Sequence, residues 1–180
     1  MDKKIEKKVV FEGPYEDVIS IDDHYYLVSK KHRICVLPYT ISTDNLLDKI
    51  GVIKDYNYFD KDYDYTLING YITSDDETDL VCANRLLFNI IGKNVESADQ
   101  WAFLGSLFNN LTSDSPISIY AVNISDLQIK TDEGLEEKQD QVKFEMMDCS
   151  KVVTTDDSLF LASMLRLFQF QYVGSLNGKF

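Results

Sequence analysis

The segment from Gly70 to Gly92, G-Y-I-T-S-D-D-E-T-D-L-V-C-A-N-R-L-L-F-N-I-I-G, constrains the fold more than any other part of the chain. It predicts a turn that leads into a helix over residues 76–91. Ser74 and Asp75 are candidate N-caps, because their side-chain oxygens can accept hydrogen bonds from the free N–H groups of the first turn. Gly92 supplies the left-handed residue with which helices commonly end. The segment therefore predicts a loop–helix unit with a defined start and end.

Four residues of this segment, Gly70, Glu77, Arg85 and Gly92, have nearly the spacing of a Nudix box, the strand–loop–helix signature of Nudix hydrolases. The family pattern is Gly, five residues, Glu, seven residues, Arg-Glu, an apolar residue, any residue, Glu-Glu, any residue, Gly. The spacing from Glu77 to Arg85 and from Arg85 to Gly92 is that of the family, whereas the step from Gly70 to Glu77 is one residue longer. The segment resembles a Nudix box, and this resemblance implies a mixed β-sheet sandwiched between helices.

The three family carboxylates that follow the arginine fall on Leu86, Asn89 and Ile90 in this chain. Positions i, i+3 and i+4 share one helix face, where carboxylates can jointly hold a hard cation such as Mg²⁺. Asn89 offers one neutral oxygen, and the two apolar residues offer none. The box is therefore degenerate, and we expect no catalytic residue, no metal site and no cofactor on this helix. A different metal site, built from Glu77, Asp79 and loop aspartates, is the alternative.

The same residues predict two contacts in the folded chain. Leu86 and Ile90, as apolar side chains in place of carboxylates, should lie on a largely buried face of the helix. Glu77 and Arg85 are eight positions apart, just over two turns along one face. We therefore expect Arg85 to contact Glu77 or a carbonyl group of the loop.

The rest of the chain predicts a single α/β (α+β) domain over residues 1–180, in an order of elements that resembles the Nudix fold. Residues 45–50 predict a short helix or turn. Apolar residues recur at helical spacing over residues 97–111, which predicts an amphipathic helical insertion. Residues 154–172 predict a helix that is apolar almost all round and so buried on more than one side. The predicted strands are residues 4–11, 17–21, 25–29, 33–39, 51–58, 66–73, 117–124 and 141–147, of which the second and third form a hairpin around Asp22-Asp23.

The net charge disfavours nucleic acid as a partner, and the short apolar segments argue against a membrane-spanning helix. A net charge of −12 disfavours nucleic acid, because proteins bind its phosphates through Lys and Arg. No segment approaches the roughly 18 consecutive apolar residues of a membrane-spanning helix, and we expect no signal peptide and a reducing compartment. The three cysteines, which include Cys35, lie far apart without a C-x2-C pair, so zinc is not expected.

Three other patterns in the sequence could suggest a functional site: a calcium-loop start, two histidines, and a cysteine near a histidine. Asp60, Asp62 and Asp64 begin like a calcium loop, but Tyr65 stands where that loop needs Gly and Tyr71 where it needs Glu. We interpret the segment as a solvated hairpin loop. His24 and His32 flank one pair of predicted strands, and we expect both at the surface or in a hairpin. Cys35 lies near His32 in sequence, but a reactive pair is recognised in space.

The retained skeleton and the lost carboxylates together predict a non-catalytic Nudix-fold module for structure or assembly. The acidic chain, rich in Lys, Asp, Asn, Ile and Tyr, is typical of bacteriophage proteins. We therefore expect a virion component of the neck, tail or baseplate. The alternatives are a cytoplasmic Nudix-type hydrolase with a shifted metal site, acting on nucleoside diphosphate derivatives, and a domain that binds a nucleotide without cleaving it.

The expected partners are other protein subunits of a larger assembly. The two later helices carry more large apolar residues than one small sheet face needs, and exposed apolar patches mark interaction sites. The candidate interface residues are Trp101, Leu104, Phe108, Phe168, Phe170 and Tyr172.

Overall fold

The computed structural model describes residues 7–57, 62–75, 77–108, 116–128, 143–152 and 157–176. A three-stranded antiparallel sheet consists of β1 (Lys7–Glu12), β2 (Glu16–Ile21) and β3 (His24–Ser29). A seven-stranded mixed sheet consists of β4 (Arg33–Ile41), β5 (Leu47–Asn57), β6 (Asp62–Thr66), β7 (Ile68–Tyr71), β8 (Trp101–Leu107), β9 (Ile117–Asn123) and β10 (Lys143–Asp148). The helices are α1 (Asp79–Ile91), α2 (Cys149–Val152) and α3 (Ser158–Leu176).

Strand β4 is the centre of the larger sheet, whose order is β10-β5-β4-β9-β8 with β6 on β5 and β7 on β4. It pairs antiparallel with β5 and β7 but parallel with β9, in a register that places Ile34 beside Ser118. Parallel neighbours need a long crossover, and here the crossover contains α1 and β8. The run from Ile34 to Tyr39 is buried throughout, as expected for a strand covered on both faces.

The side chains of β4 alternate between two hydrophobic cores. Cys35 and Leu37 belong to a core with α3, whereas Ile34 and Val36 belong to a core with α1. Helix α3 contributes Phe160, Met164 and Leu167 to the first of these cores. Helix α1 contributes Cys82, Ala83, Leu86 and Leu87 to the other. The mixed sheet therefore lies between helices, which confirms the predicted fold class.

The predicted hairpin around Asp22-Asp23 is confirmed as the turn between β2 and β3. Both residues have positive φ, at 47° and 64°, as the favoured two-residue hairpin turns require. The rings of Tyr15 and Tyr71 stack with centroids 4.6 Å apart, so the smaller sheet contacts the end of β7.

The helical insertion predicted for residues 97–111 is wrong. A short 3-10 turn, Ala98–Gln100, precedes β8, an outer strand paired antiparallel with β9. An irregularity between Phe103 and Gly105 adds one residue to β8, so that Leu104 and Leu107 face the same core. This bulge produces the three-residue spacing that resembles a helix in the sequence. Residues 109–111 lie outside the described residues.

Of the helix or turn predicted for residues 45–50, the turn is present at Asn45, which has φ 57°, and β5 begins at Leu47. The prediction for the last helix is corrected. The last helix begins at Ser158 rather than near 154, and residues 154–156 lie outside the described residues. That helix buries one face rather than several, since Phe160 is fully buried while Leu165 is 60% exposed. Among the described helices, none combines the length and apolar character needed to cross a membrane.

Candidate functional site

Helix α1 begins later than the sequence predicts. Its N-cap is Thr78, whose side chain accepts a hydrogen bond from the N–H of Val81 at 3.4 Å. The predicted caps, Ser74 and Asp75, lie in the loop before it, and Asp76 lies outside the described residues. The predicted end is confirmed, because Gly92 has φ 68° and donates its N–H to the Phe88 carbonyl oxygen at 2.8 Å.

The predicted contact between Arg85 and Glu77 is present and bidentate. Arg85 Nε donates to Glu77 Oε1 at 2.6 Å, and Nη2 donates to Oε2 at 3.1 Å. The same Nη2 donates to the Tyr71 carbonyl oxygen at 2.9 Å, while the N–H of Thr73 donates to Glu77 Oε2 at 2.8 Å. Hydrogen bonds from Arg85 and then Thr73 lower the pKa of Glu77 to about 2. This clamp fixes the loop onto α1 and occupies both Glu77 oxygens.

The helix face that carries the family carboxylates is apolar here. Leu86 is buried at 8% exposure, as its apolar character predicts, and Ile90 is half-buried in the same core. Asn89 is exposed and offers a single neutral amide. These three residues do not fit a divalent cation. Across the parts of the chain that the structure describes, no group of three or more His, Cys, Asp or Glu side chains could hold a metal ion.

A polar cluster lies at the start of α1, beside the clamp, and consists of His32, Asp79, Ser118 and Tyr120. His32 Nε2 lies 2.9 Å from Ser118 Oγ and 3.5 Å from Asp79 Oδ2. Burial raises the pKa of Tyr120, and the charge of Asp79 with its hydrogen bond to the Tyr120 hydroxyl raises it further. The cluster joins the first turn of α1 to β9 and to the residue that precedes β4.

Sequence reasoning missed this cluster. His32 is half-buried and hydrogen-bonded to the buried Ser118, whereas His24 is in the exposed hairpin, as expected, bonded to the Asp22 carbonyl oxygen. The signal lies in the parallel register of β4 and β9, which no local pattern encodes. Burial raises the pKa of the Cys35 thiol to about 12, which leaves it unreactive at neutral pH.

The residues predicted as a partner interface do not share one helix face. Trp101 is half-buried and donates its Nε1–H to the Val95 carbonyl oxygen at 3.2 Å. Phe108 and Tyr172 are exposed. The remaining candidates are half-buried against the core that contains α3: Leu104, Phe168 and Phe170.

No protein-family model matches the sequence, and no curated protein matches it. Among solved structures, the chain is similar to the crystal structure of an ADP compounds hydrolase, with a TM-score of 0.65. The similarity covers 95% of each chain at 16% sequence identity. The fold is Nudix-like.

This comparison corrects the expectation that the Nudix-like chain is not an enzyme. The similar structure, which shares the fold over nearly its whole length, is that of a hydrolase. Leu86, Asn89 and Ile90 on α1 carry no carboxylate. The polar cluster involves the first residue of α1, Asp79, rather than these three positions.

Proposed function

We propose that this Nudix-like chain hydrolyses a nucleoside diphosphate derivative. The observation that carries the proposal is the similarity to an ADP compounds hydrolase over 95% of both chains. The intact clamp between Glu77 and Arg85 supports it, because the clamp holds the loop in place although the carboxylates downstream are gone. The virion location stays a prediction from composition alone.

The polar cluster is the place where we propose that the chemistry occurs. An imidazole nitrogen can accept a proton from water, and the ring of His32 is positioned by Ser118 and Asp79. The water oxygen forms a bond to phosphorus while the bridging P–O bond breaks. His32 takes one proton from the water, the second stays on the new phosphate group, and the leaving phosphate departs as an anion.

Purified protein incubated with a panel of ADP derivatives, with and without Mg²⁺ or Mn²⁺, tests this function. We expect release of a nucleoside monophosphate from at least one derivative. His32→Asn should lower kcat by about 10²-fold or more, the usual contribution of an acid–base group. His24→Asn is the matched control, because His24 lies in the exposed hairpin, and its kcat should equal that of the wild type. Absence of turnover with every derivative would overturn the proposal.

A further inference from the structure

Within the described residues, the sheet face on which α1 packs carries an exposed aromatic side chain at its outer strand. Helix α1 packs against β4, β7 and β9, whereas β8 is the last strand of the sheet on that side. Phe103 on β8 stands opposite Tyr120 on β9, and it is 56% exposed. The two rings lie 5.1 Å apart at an interplanar angle of 44°. We name Phe103 and Tyr120 the aromatic rim.

The strand that carries Phe103 is held from the opposite face of the sheet. Arg166 of α3 donates to the Leu104 carbonyl oxygen at 3.0 Å and to the Ser106 carbonyl oxygen at 3.1 Å. Between these residues Gly105 has φ 100°, a conformation that side chains other than glycine rarely adopt. The bulge next to Phe103 is therefore fixed by hydrogen bonds, and the exposed ring extends from an anchored strand.

The aromatic rim continues without a break into the polar cluster. The Tyr120 side chain lies close to the Asp79 carboxylate, Asp79 lies beside His32, and His32 is hydrogen-bonded to Ser118. The series runs from an exposed aromatic ring, through a carboxylate, to the histidine of the proposed reaction centre. A nucleoside diphosphate has the same order of parts, namely an aromatic base, ribose hydroxyl groups that donate hydrogen bonds, and phosphates.

From this arrangement we infer that the aromatic rim, together with Asp79, is the binding subsite for the nucleoside half of the substrate. The base stacks on Phe103, since every nucleobase has a π-face that an aromatic side chain can contact. The Asp79 carboxylate accepts hydrogen bonds from the ribose hydroxyl groups. The inference rests on the proposed function for the identity of the ligand, and it places the phosphates next to His32.

Binding of AMP, measured by titration calorimetry on the full chain, tests the subsite without requiring turnover. Phe103→Ala should raise the dissociation constant for AMP about tenfold, which corresponds to a loss of about 1.4 kcal/mol of binding free energy. Phe103→Trp should retain wild-type affinity. Phe88→Ala is the matched control, because Phe88 is an exposed phenylalanine of α1 at 46% exposure. Its dissociation constant should stay within about twofold of the wild type, well below the tenfold step. Unfolding midpoints verify that each variant is folded.

The outcomes separate the subsite from the proposed reaction. Equal AMP affinity of the wild type and a folded Phe103→Ala variant overturns the subsite, and so does the absence of AMP binding by the wild type. Hydrolysis by the wild type with an unchanged KM in Phe103→Ala also overturns the subsite but leaves the proposed function standing. AMP binding that depends on Phe103, without hydrolysis of any derivative, supports the subsite and overturns the proposed function.

Discussion

Leu86 packs directly on Gly70, so that a Cβ atom added at Gly70 would lie 2.5 Å from Leu86 Cδ2. Both residues belong to the segment that resembles a Nudix box, in which Gly70 stands at the first glycine and Leu86 at a position where the family pattern has a carboxylate. The glycine at position 70 is thus required for space rather than for an unusual backbone angle. The apolar replacement at position 86 in turn places α1 close against β7.

Gly70→Ala should lower the free energy of unfolding by about 1–3 kcal/mol, the usual cost of overpacking a well-filled core. The combined variant Gly70→Ala/Leu86→Ala should lose less than the sum of the two single changes, because Leu86→Ala removes the clashing methyl groups. Denaturant unfolding of the four proteins measures the coupling. Simple additivity would show that the two side chains do not meet.

Leu86→Glu should destabilise the protein strongly, because it places an unpaired charge in an apolar site at a cost of several kcal/mol. Asn89→Glu restores a carboxylate at another box position but lies in water, so its effect should stay within about 0.5 kcal/mol. Urea unfolding of both variants at neutral pH provides the comparison. Equal stability of the two would contradict the burial of Leu86.

The stabilisation that Glu77 provides should be lost in acid. Its pKa is about 2 when folded and has its ordinary value of 4.5 when unfolded, so the unfolded state binds a proton first as the pH falls. The stabilisation is complete above the unfolded pKa and is lost as the pH falls from about 4.5 to about 2. Glu77→Gln should be less stable at pH 7 by about 1.5–3 kcal/mol.

The same variant provides the control for that pH dependence. The difference in unfolding free energy between wild type and Glu77→Gln should shrink steadily as the pH falls from 5 to 2. Protonation removes the negative charge of Glu77 from the wild type, and the glutamine variant has no such charge at any pH. A difference that is independent of pH would mean that the ion pair with Arg85 contributes nothing.

Arg166 should stabilise the outer strand β8 through its two carbonyl contacts. Arg166→Met keeps most of the apolar stem but removes both hydrogen bonds, which should cost about 1–3 kcal/mol. Hydrogen exchange of the β8 amides should become faster, whereas exchange in the hairpin of β2 and β3 should not change. Equal exchange rates of the β8 amides in the wild type and in Arg166→Met would contradict this role of Arg166.

Association with other protein subunits is the remaining prediction. The charge of −12 should keep copies of the free chain apart, so purified protein should sediment as a monomer in low salt. Phe108 and Tyr172 are the exposed members of the predicted interface. A partner should therefore bind the wild type more tightly than a variant with serine at both positions, whereas equal binding would exclude that surface.

Local patterns predicted the elements whose signals lie close together in sequence. The turn at Asp22-Asp23, the end of α1 at Gly92 and the clamp between Glu77 and Arg85 all depend on spacings of a few residues. The segment that contains Leu104 and Leu107 was predicted wrongly, since a bulge in a strand produces helical spacing.

The polar cluster could not be predicted in the same way. His32 and Ser118 are 86 positions apart and meet because β4 and β9 pair in one particular parallel register. That register depends on burial of both faces of β4, a property of the whole sheet rather than of any short segment.

The parallel pairing of β4 with β9 also affects the order in which the chain can fold while it is being synthesised. Strands β1 to β3 pair with one another in chain order, so their sheet can form as soon as residue 29 has left the ribosome. The centre of the larger sheet must wait until residues 117–123 emerge. During that interval the apolar faces of β4 and α1 have no complete partner surface, and this nascent chain is the form most in need of a chaperone.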